Sequence, residues 1–359
     1  MIKTYTPADT FPPGEYLRDE LEERGWTAKE FAEILGRPVQ AVSEILNGRK
    51  QIMPETAIAL GEALGTSAEL WTNLQTMFNL HEAKSNRPSI SDVARRSHLR
   101  TRVPVAELRQ RGWLPDTNDL DNLESAVKNL LRIPNLNADP ELVVAARRAN
   151  AGASFSIQQV AWLAQLQRLA ESRKVQEFNI DSVRALAEEL AHRIHSPEDL
   201  GQLGNWLADV GIVFITLRPL KSSKLDGAAM MLSSGVPVIG LTGRWDRMDS
   251  FVFTLLHELA HISCGHLKAG EVRTDEDIYS STDGDDQENE ANQCSANWIL
   301  PADLPLPEGR PSAAVILQIA QRYRVHPCFV IGRIQRDRKD WALLRGSIPR
   351  VSSHITVET

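Results

Sequence analysis

The stretch Phe251-Val-Phe-Thr-Leu-Leu-His-Glu-Leu-Ala-His-Ile-Ser-Cys-Gly-His266 constrains this chain more than any other. Its apolar residues Phe251, Phe253, Leu255, Leu256, Leu259 and Ile262 predict a core helix, and inside it stand His257, Glu258 and His261 in HExxH spacing. At about 3.6 residues per turn, positions i and i+4 share a face, so both imidazoles reach one metal ion. Two imidazoles and an open coordination position suit Zn2+. Glu258 follows the first histidine and is placed to activate the attacking water rather than to bind metal. Two surface histidines on an ordinary helix have the same spacing, but an imidazole rarely sits among core residues without a partner.

A third ligand is expected as a carboxylate on a second helix, and Gln287-Glu-Asn-Glu-Ala-Asn-Gln-Cys-Ser-Ala-Asn-Trp-Ile-Leu-Pro301 offers Glu288 and Glu290. Two positions apart, they point to nearly opposite sides of a helix. Glu288 falls in line with Ala291, Asn292, Ser295, Trp298 and Ile299, the stripe expected to face the core; Glu290 shares its side with Gln293, Cys294 and Asn297. Glu288 is therefore the candidate ligand and Glu290 the alternative. Asn292, one turn on, is a candidate partner for the outer nitrogen of a ligand histidine.

HELAH followed by ENEANQCSANWILP resembles the ImmA/IrrE family of metallo-endopeptidases, whose pattern is HExxH and then an ExxAN-type helix ending in Leu-Pro. Leu225-Asp-Gly-Ala-Ala and Arg244…Arg247…Phe251 also resemble that family, and the likeness runs from Leu186 to Arg338. It implies a zinc endopeptidase whose substrate is a regulatory protein such as a repressor or antitoxin. The chain departs from the pattern at Cys294-Ser295, where the family commonly has Phe-Ala, and in an acidic insertion between the two metal-binding segments.

The amino-terminal part reads as short helices. Gly14 to Arg24 is amphipathic, with Tyr16, Leu17 and Leu21 expected inward; Thr27 caps Ala28–Leu35 with Glu30 at the capping-box position. Gly36-Arg-Pro38 turns into Val39–Leu46, stopped by Asn47-Gly48. This is helix-turn-helix spacing, with Ala32, Ile34, Leu35, Val42, Ile45 and Leu46 expected between the helices. The stretch Leu35 to Lys50 resembles Cro/CI-type (XRE) repressor domains, in particular HigA-type antitoxins. By that likeness Gln40, Ala41 and Ser43 approach base edges of a double-stranded operator, while Arg37, Asn47, Arg49 and Lys50 approach phosphates. The likeness also implies a homodimer. Eight acidic residues between Glu15 and Glu44 oppose phosphate attraction, which leaves a protein-binding helical domain as the other reading.

A length of 359 residues allows two or three domains. The expected division is a helix-turn-helix domain over 1–80, a basic and helical connector over 81–185, an α+β zinc peptidase domain with a small sheet over 186–346, and a flexible tail over 347–359. The fold class is thus multidomain and mainly α. In the connector, Lys84 to Arg111 is rich in arginine, read as a solvated helix face or a phosphate-binding arm. In the peptidase domain, Ile212–Thr216 predicts a strand, and Gly227–Leu232 with Val236–Leu241 a hairpin. The residues from Thr274 to Glu290 predict a mobile acidic surface insertion. No apolar run approaches a membrane span, no signal peptide is evident, and three widely spaced cysteines with no CxxC argue against both a disulfide framework and a cysteine-zinc site, so a cytoplasmic location without a membrane partner is expected. Two functions follow: a DNA-bound regulator that cleaves a repressor or antitoxin, or an antitoxin-type repressor whose metal fold binds a toxin and turns over little.

Overall fold

The computed structural model describes residues 10–85, 91–149, 154–275, 286–307 and 309–358. The chain divides into two compact units, Met1–Asp92 and Val93–Thr359. Among the described residues no helix is long and apolar enough to cross a membrane.

Among its described residues the first unit has five helices: α1 (Pro13–Arg24), α2 (Ala28–Ile34), α3 (Val39–Leu46), α4 (Pro54–Leu64) and α5 (Ala68–Ser85). The capping box forms as expected, with Thr27 accepting from the Glu30 amide and the Glu30 carboxylate accepting from the Thr27 amide at 2.8 Å. Leu17, Leu21, Phe31, Ala32, Val42, Ile45, Leu60 and Trp71 make the core that fixes α2 against α3. Two residues expected inward are not: Tyr16 is 41% and Ile34 50% exposed. Leu17 and Leu21, one turn apart, already fill the inner face of α1, and Phe31 and Ala32 supply the α2 contact.

The second unit begins with α6 (Asp92–Arg102), α7 (Val105–Gln110), α8 (Leu120–Leu131), α9 (Glu141–Ala149), α10 (Ile157–Glu171), α11 (Ile180–Arg193) and α12 (Leu203–Asp209). There follow β1 (Val213–Thr216), β2 (Gly227–Met231), β3 (Pro237–Leu241), α13 (Met248–Ser263), β4 (Val272–Asp275), α14 (Asp286–Ile299), α15 (Ala313–Tyr323) and α16 (Pro327–Arg338). The strands form one sheet in the order β1-β3-β2-β4; β1 is parallel to β3, and β2 is antiparallel to both β3 and β4. The expected strand and hairpin are present. β4 was not expected, because four residues at the head of an acidic run carry almost no period.

Side chains alternate across the sheet. Ala229, Ile239 and Leu241 join a core with α11, α13 and α16, whereas Ala228, Met230 and Val238 join a second core with α8 and α10. The sheet is therefore covered by helices on both faces, which makes the mainly α, multidomain architecture with a small sheet the observed one. Helices expected as a connector supply half of that cover. Trp162 of α10 is fully buried and donates its indole N–H to the Leu217 carbonyl at 3.2 Å. A Cβ on Gly240 of β3 would lie 2.9 Å from the Trp162 ring, so the glycine lets helix and strand meet.

The basic run divides: Lys84, Arg96 and Arg100 are exposed on their helices, as a solvated face would be, whereas four arginines turn to acceptors within the second unit. Arg95 donates to Glu124 at 2.9 Å, Arg111 to the Arg218 carbonyl at 2.8 Å, Arg102 to the Ala138 carbonyl and Arg109 to the Thr117 carbonyl. These guanidiniums brace the second unit from within, and Arg95 and Arg111 each reach more than one acceptor. The segment expected as a flexible tail is also held. Ile348 and Val351 are buried, Asp246 accepts from the amides of Val351 and Ser352 at 2.9 and 2.8 Å, and the Glu358 amide donates to the Thr216 carbonyl at 2.8 Å. Two buried apolar side chains, the Asp246 carboxylate and a backbone bond to β1 dock it. Of the acidic stretch 274–290, residues 276–285 lie outside the described residues.

Candidate metal centre

Every residue of α13 is buried, which follows from its apolar sequence and its place between the sheet and α11, α14 and α16. On one face the His257 and His261 Nε2 atoms lie 3.0 Å apart, with the rings edge to face at 75°. α14 packs against this face and brings in Glu288, whose Oε2 is 3.2 Å from His257 Nε2 and whose Oε1 is 3.4 Å from His261 Nε2. The three side chains offer ligand atoms that all lie within 4.8 Å of one another. A tetrahedral ion with N and O ligands at about 2.0–2.1 Å sets its donors roughly 3.3 Å apart, so these residues fit zinc without rearrangement. Burial pushes the Glu288 carboxyl up, but hydrogen bonds from His257 and His261 outweigh it and hold the group well below the usual carboxylate range. Glu288 is thus an anion, the state a ligand needs.

Glu258 is fully buried on the same helix, turned toward the start of β2. A Cβ on Gly227 would come within 2.4 Å of Glu258 Oε1 and 3.0 Å of Thr254 Cγ2. Only glycine lets the strand approach this carboxylate so closely. Gly227→Ala is expected to cost about 1–3 kcal/mol in urea unfolding, through displacement of strand or carboxylate; a midpoint equal to wild type would contradict this packing.

The other sequence candidates are distributed as follows. Glu290 is not with the histidine pair; its Oε2 lies 3.1 Å from His266 Nε2. His266 Nδ1 in turn lies 3.0 Å from His261 Nδ1, so the outer nitrogen of His261 is engaged by His266. Asn292 stands on α14 one turn beyond Glu288, half-buried. Burial pushes the His266 imidazolium down, so the ring is neutral and one of its nitrogens is free to accept.

Two side chains at the centre escaped the sequence reading. One is His266, just past the end of α13. The other is Arg273 of β4, which donates to Glu288 Oε1 at 3.1 Å and also to the Gln287 side chain. The cue for Arg273 was a lone cation ahead of an acidic run.

In the first unit Gln40, Asn47, Arg49 and Lys50 are exposed on and just after α3, and Ala41 and Ser43 are half-buried on it. Gln40 bonds Glu44 at 3.2 Å and Asn47 donates to the Ser43 carbonyl at 2.8 Å. Arg37 turns inward and donates to the Thr56 hydroxyl at 2.7 Å, so part of its donor set braces α4.

A bihelical motif in one unit and a histidine-carboxylate centre beside a small sheet in the other define a two-module regulator. The family model described as helix-turn-helix matches residues 17–71, and that of the IrrE N-terminal-like domain, a peptidase family, matches residues 209–334. The chain belongs to the helix-turn-helix transcriptional regulators and carries an IrrE-like peptidase domain. It is 33% identical over 89 residues to the HTH-type transcriptional regulator YddM of Escherichia coli, covering 25% of this chain and 90% of that one. It is 38% identical over 73 residues to antitoxin HigA-1 of Vibrio cholerae, covering 20% and 69%. Among solved structures, Pseudomonas aeruginosa antitoxin HigA with the higBA promoter is 35% identical, covers 21% of this chain and 85% of that one, and has a TM-score of 0.21.

Proposed function

We propose that this chain is a DNA-binding regulator whose second unit is a zinc-dependent endopeptidase, and that it cleaves a repressor- or antitoxin-type protein to relieve repression. The observation that carries the reading is the convergence of His257, His261 and Glu288 beside the buried Glu258. The three side chains would hold zinc, which when bound supplies a Lewis acid for the scissile carbonyl and makes water acidic. Glu258 takes the proton of the attacking water and passes it to the leaving amine. His266 accepts from the outer N–H of His261 and so fixes that ring, with Glu290 behind it. Arg273 holds the Glu288 carboxylate in place from β4.

β4 is an outer strand of the sheet, and an extended polypeptide added along it would lie beside the centre. Main-chain pairing of this kind tolerates many sequences, which suits an unfolded or extended segment of a regulatory protein. The likeness to HigA supplies the DNA side: Gln40, Ala41 and Ser43 would read base edges, Arg37, Asn47, Arg49 and Lys50 would meet phosphates, and a homodimer would span two half-sites.

The test joins both modules. Zinc-loaded protein should protect a sequence-specific site in its own promoter from nuclease, and should produce defined fragments of itself or of a co-expressed helix-turn-helix repressor by intact mass. Protection without any fragment would favour the second reading, an antitoxin-type repressor that binds a toxin. That reading draws on the antitoxin likeness.

A further inference from the structure

A second cluster of metal-binding side chains lies at the far end of α13, and the function proposed above does not use it as a site. Cys264 and His266 flank Gly265 in the turn after that helix, while Glu290 and Cys294 are four apart on one face of α14. The Cys264 and Cys294 Sγ atoms are 3.9 Å apart, and His266 Nε2 is 3.1 Å from Glu290 Oε2. Cys264, His266 and Glu290 offer ligand atoms that all lie within 4.8 Å of one another. Because His266 spends Nδ1 on His261, its Nε2 is the atom turned toward this cluster.

We propose that Cys264, His266, Glu290 and Cys294 form a second metal site, selective for a thiolate-preferring divalent ion such as zinc. Cys264, His266 and Glu290 already converge, and Cys294, which stands outside that set but meets Cys264 at 3.9 Å, turns its Sγ inward to complete the four. Zinc with Zn–S at about 2.3 Å sets two tetrahedral sulfurs roughly 3.8 Å apart, and its N and O donors roughly 3.3 Å apart. Both pairs already stand at those separations. Two sulfur donors exclude magnesium and calcium, which take oxygen ligands. Burial and the neighbouring Cys264 push the Cys294 thiol up to about 11. Metal entry releases a proton from each sulfur and one from His266 Nε2 as the metal–ligand bonds form, and the His261 and His266 rings keep a single proton between their Nδ1 atoms. A metal there would clamp the end of α13, which carries His257 and His261, to α14, which carries Glu288.

Cobalt(II) distinguishes the two sites, because the histidine-carboxylate centre contains no sulfur. Reduced full-length protein titrated with cobalt(II) in the absence of oxygen should develop intense near-ultraviolet sulfur-to-cobalt absorption. His257→Ala should keep that absorption. Replacing Cys264 and Cys294 together by serine should abolish it while the histidine centre still binds cobalt. Cys294→Ala alone, a half-exposed position, should weaken cobalt binding at least tenfold at this site. No sulfur-to-cobalt absorption in folded wild type would overturn the proposal, as would absorption that survives the double serine substitution and so arises from Cys328.

Discussion

Glu258→Gln is expected to lower peptide cleavage by about 10²–10⁴-fold while leaving metal content at the wild-type level. Glutamine keeps the size of the side chain in its buried place between α13 and β2, so the fold has no reason to change. What is lost is the ability to take a proton from water and return it to the amine. The comparison must be made at equal metal loading, with fragments counted by intact mass. Cleavage at the wild-type rate would remove Glu258 from the mechanism. Cleavage lost together with the metal would mean that the carboxylate holds the site rather than running the chemistry.

The second large effect lies far from that centre in sequence. Trp162→Ala is expected to cost about 3–5 kcal/mol in the unfolding of the second unit, since it empties a fully buried site. It also leaves the Leu217 carbonyl without its indole donor. Because α10 covers the sheet that carries Gly227, the variant should also bind zinc less tightly. Chemical unfolding followed through the second unit measures the first effect, and metal titration the second. A loss below about 1 kcal/mol would return residues 157–171 to the role of a spacer.

How much of this was legible beforehand depends on how far apart in the chain the interacting groups are. The pair His257 and His261 is a local matter of helical spacing, and the apolar neighbours announce that the helix is buried. Preferring Glu288 to Glu290 needed only the stripe on α14, and the structure places Glu288 with the histidines and Glu290 with His266. The capping box at Thr27 and Glu30 is local too.

The misreadings share the opposite property. Trp162 and Leu166 show an apolar stripe, but the sheet they cover comes some 50 residues later, and no local signal names that partner. Arg273 stands in a strand of four residues that pairs with β2, about 45 residues earlier. The tail at Ile348 and Val351 is held through Asp246, about 100 residues away. Arginines in a dense basic run looked solvent-facing because the carbonyls that receive them are set by tertiary structure. His266 was close enough in sequence to be noticed, but its bond to His261 depends on the turn at Gly265 folding it back.

The most direct test is the zinc content of the purified chain, measured with Cys264 and Cys294 replaced by serine so that only the histidine centre is counted. The account predicts about one zinc per folded chain, lost when His257 is also changed to alanine and kept when Glu258 is changed to glutamine. A folded protein that takes up no zinc even when it is supplied, or that holds it equally well without His257, would contradict the assignment of this centre.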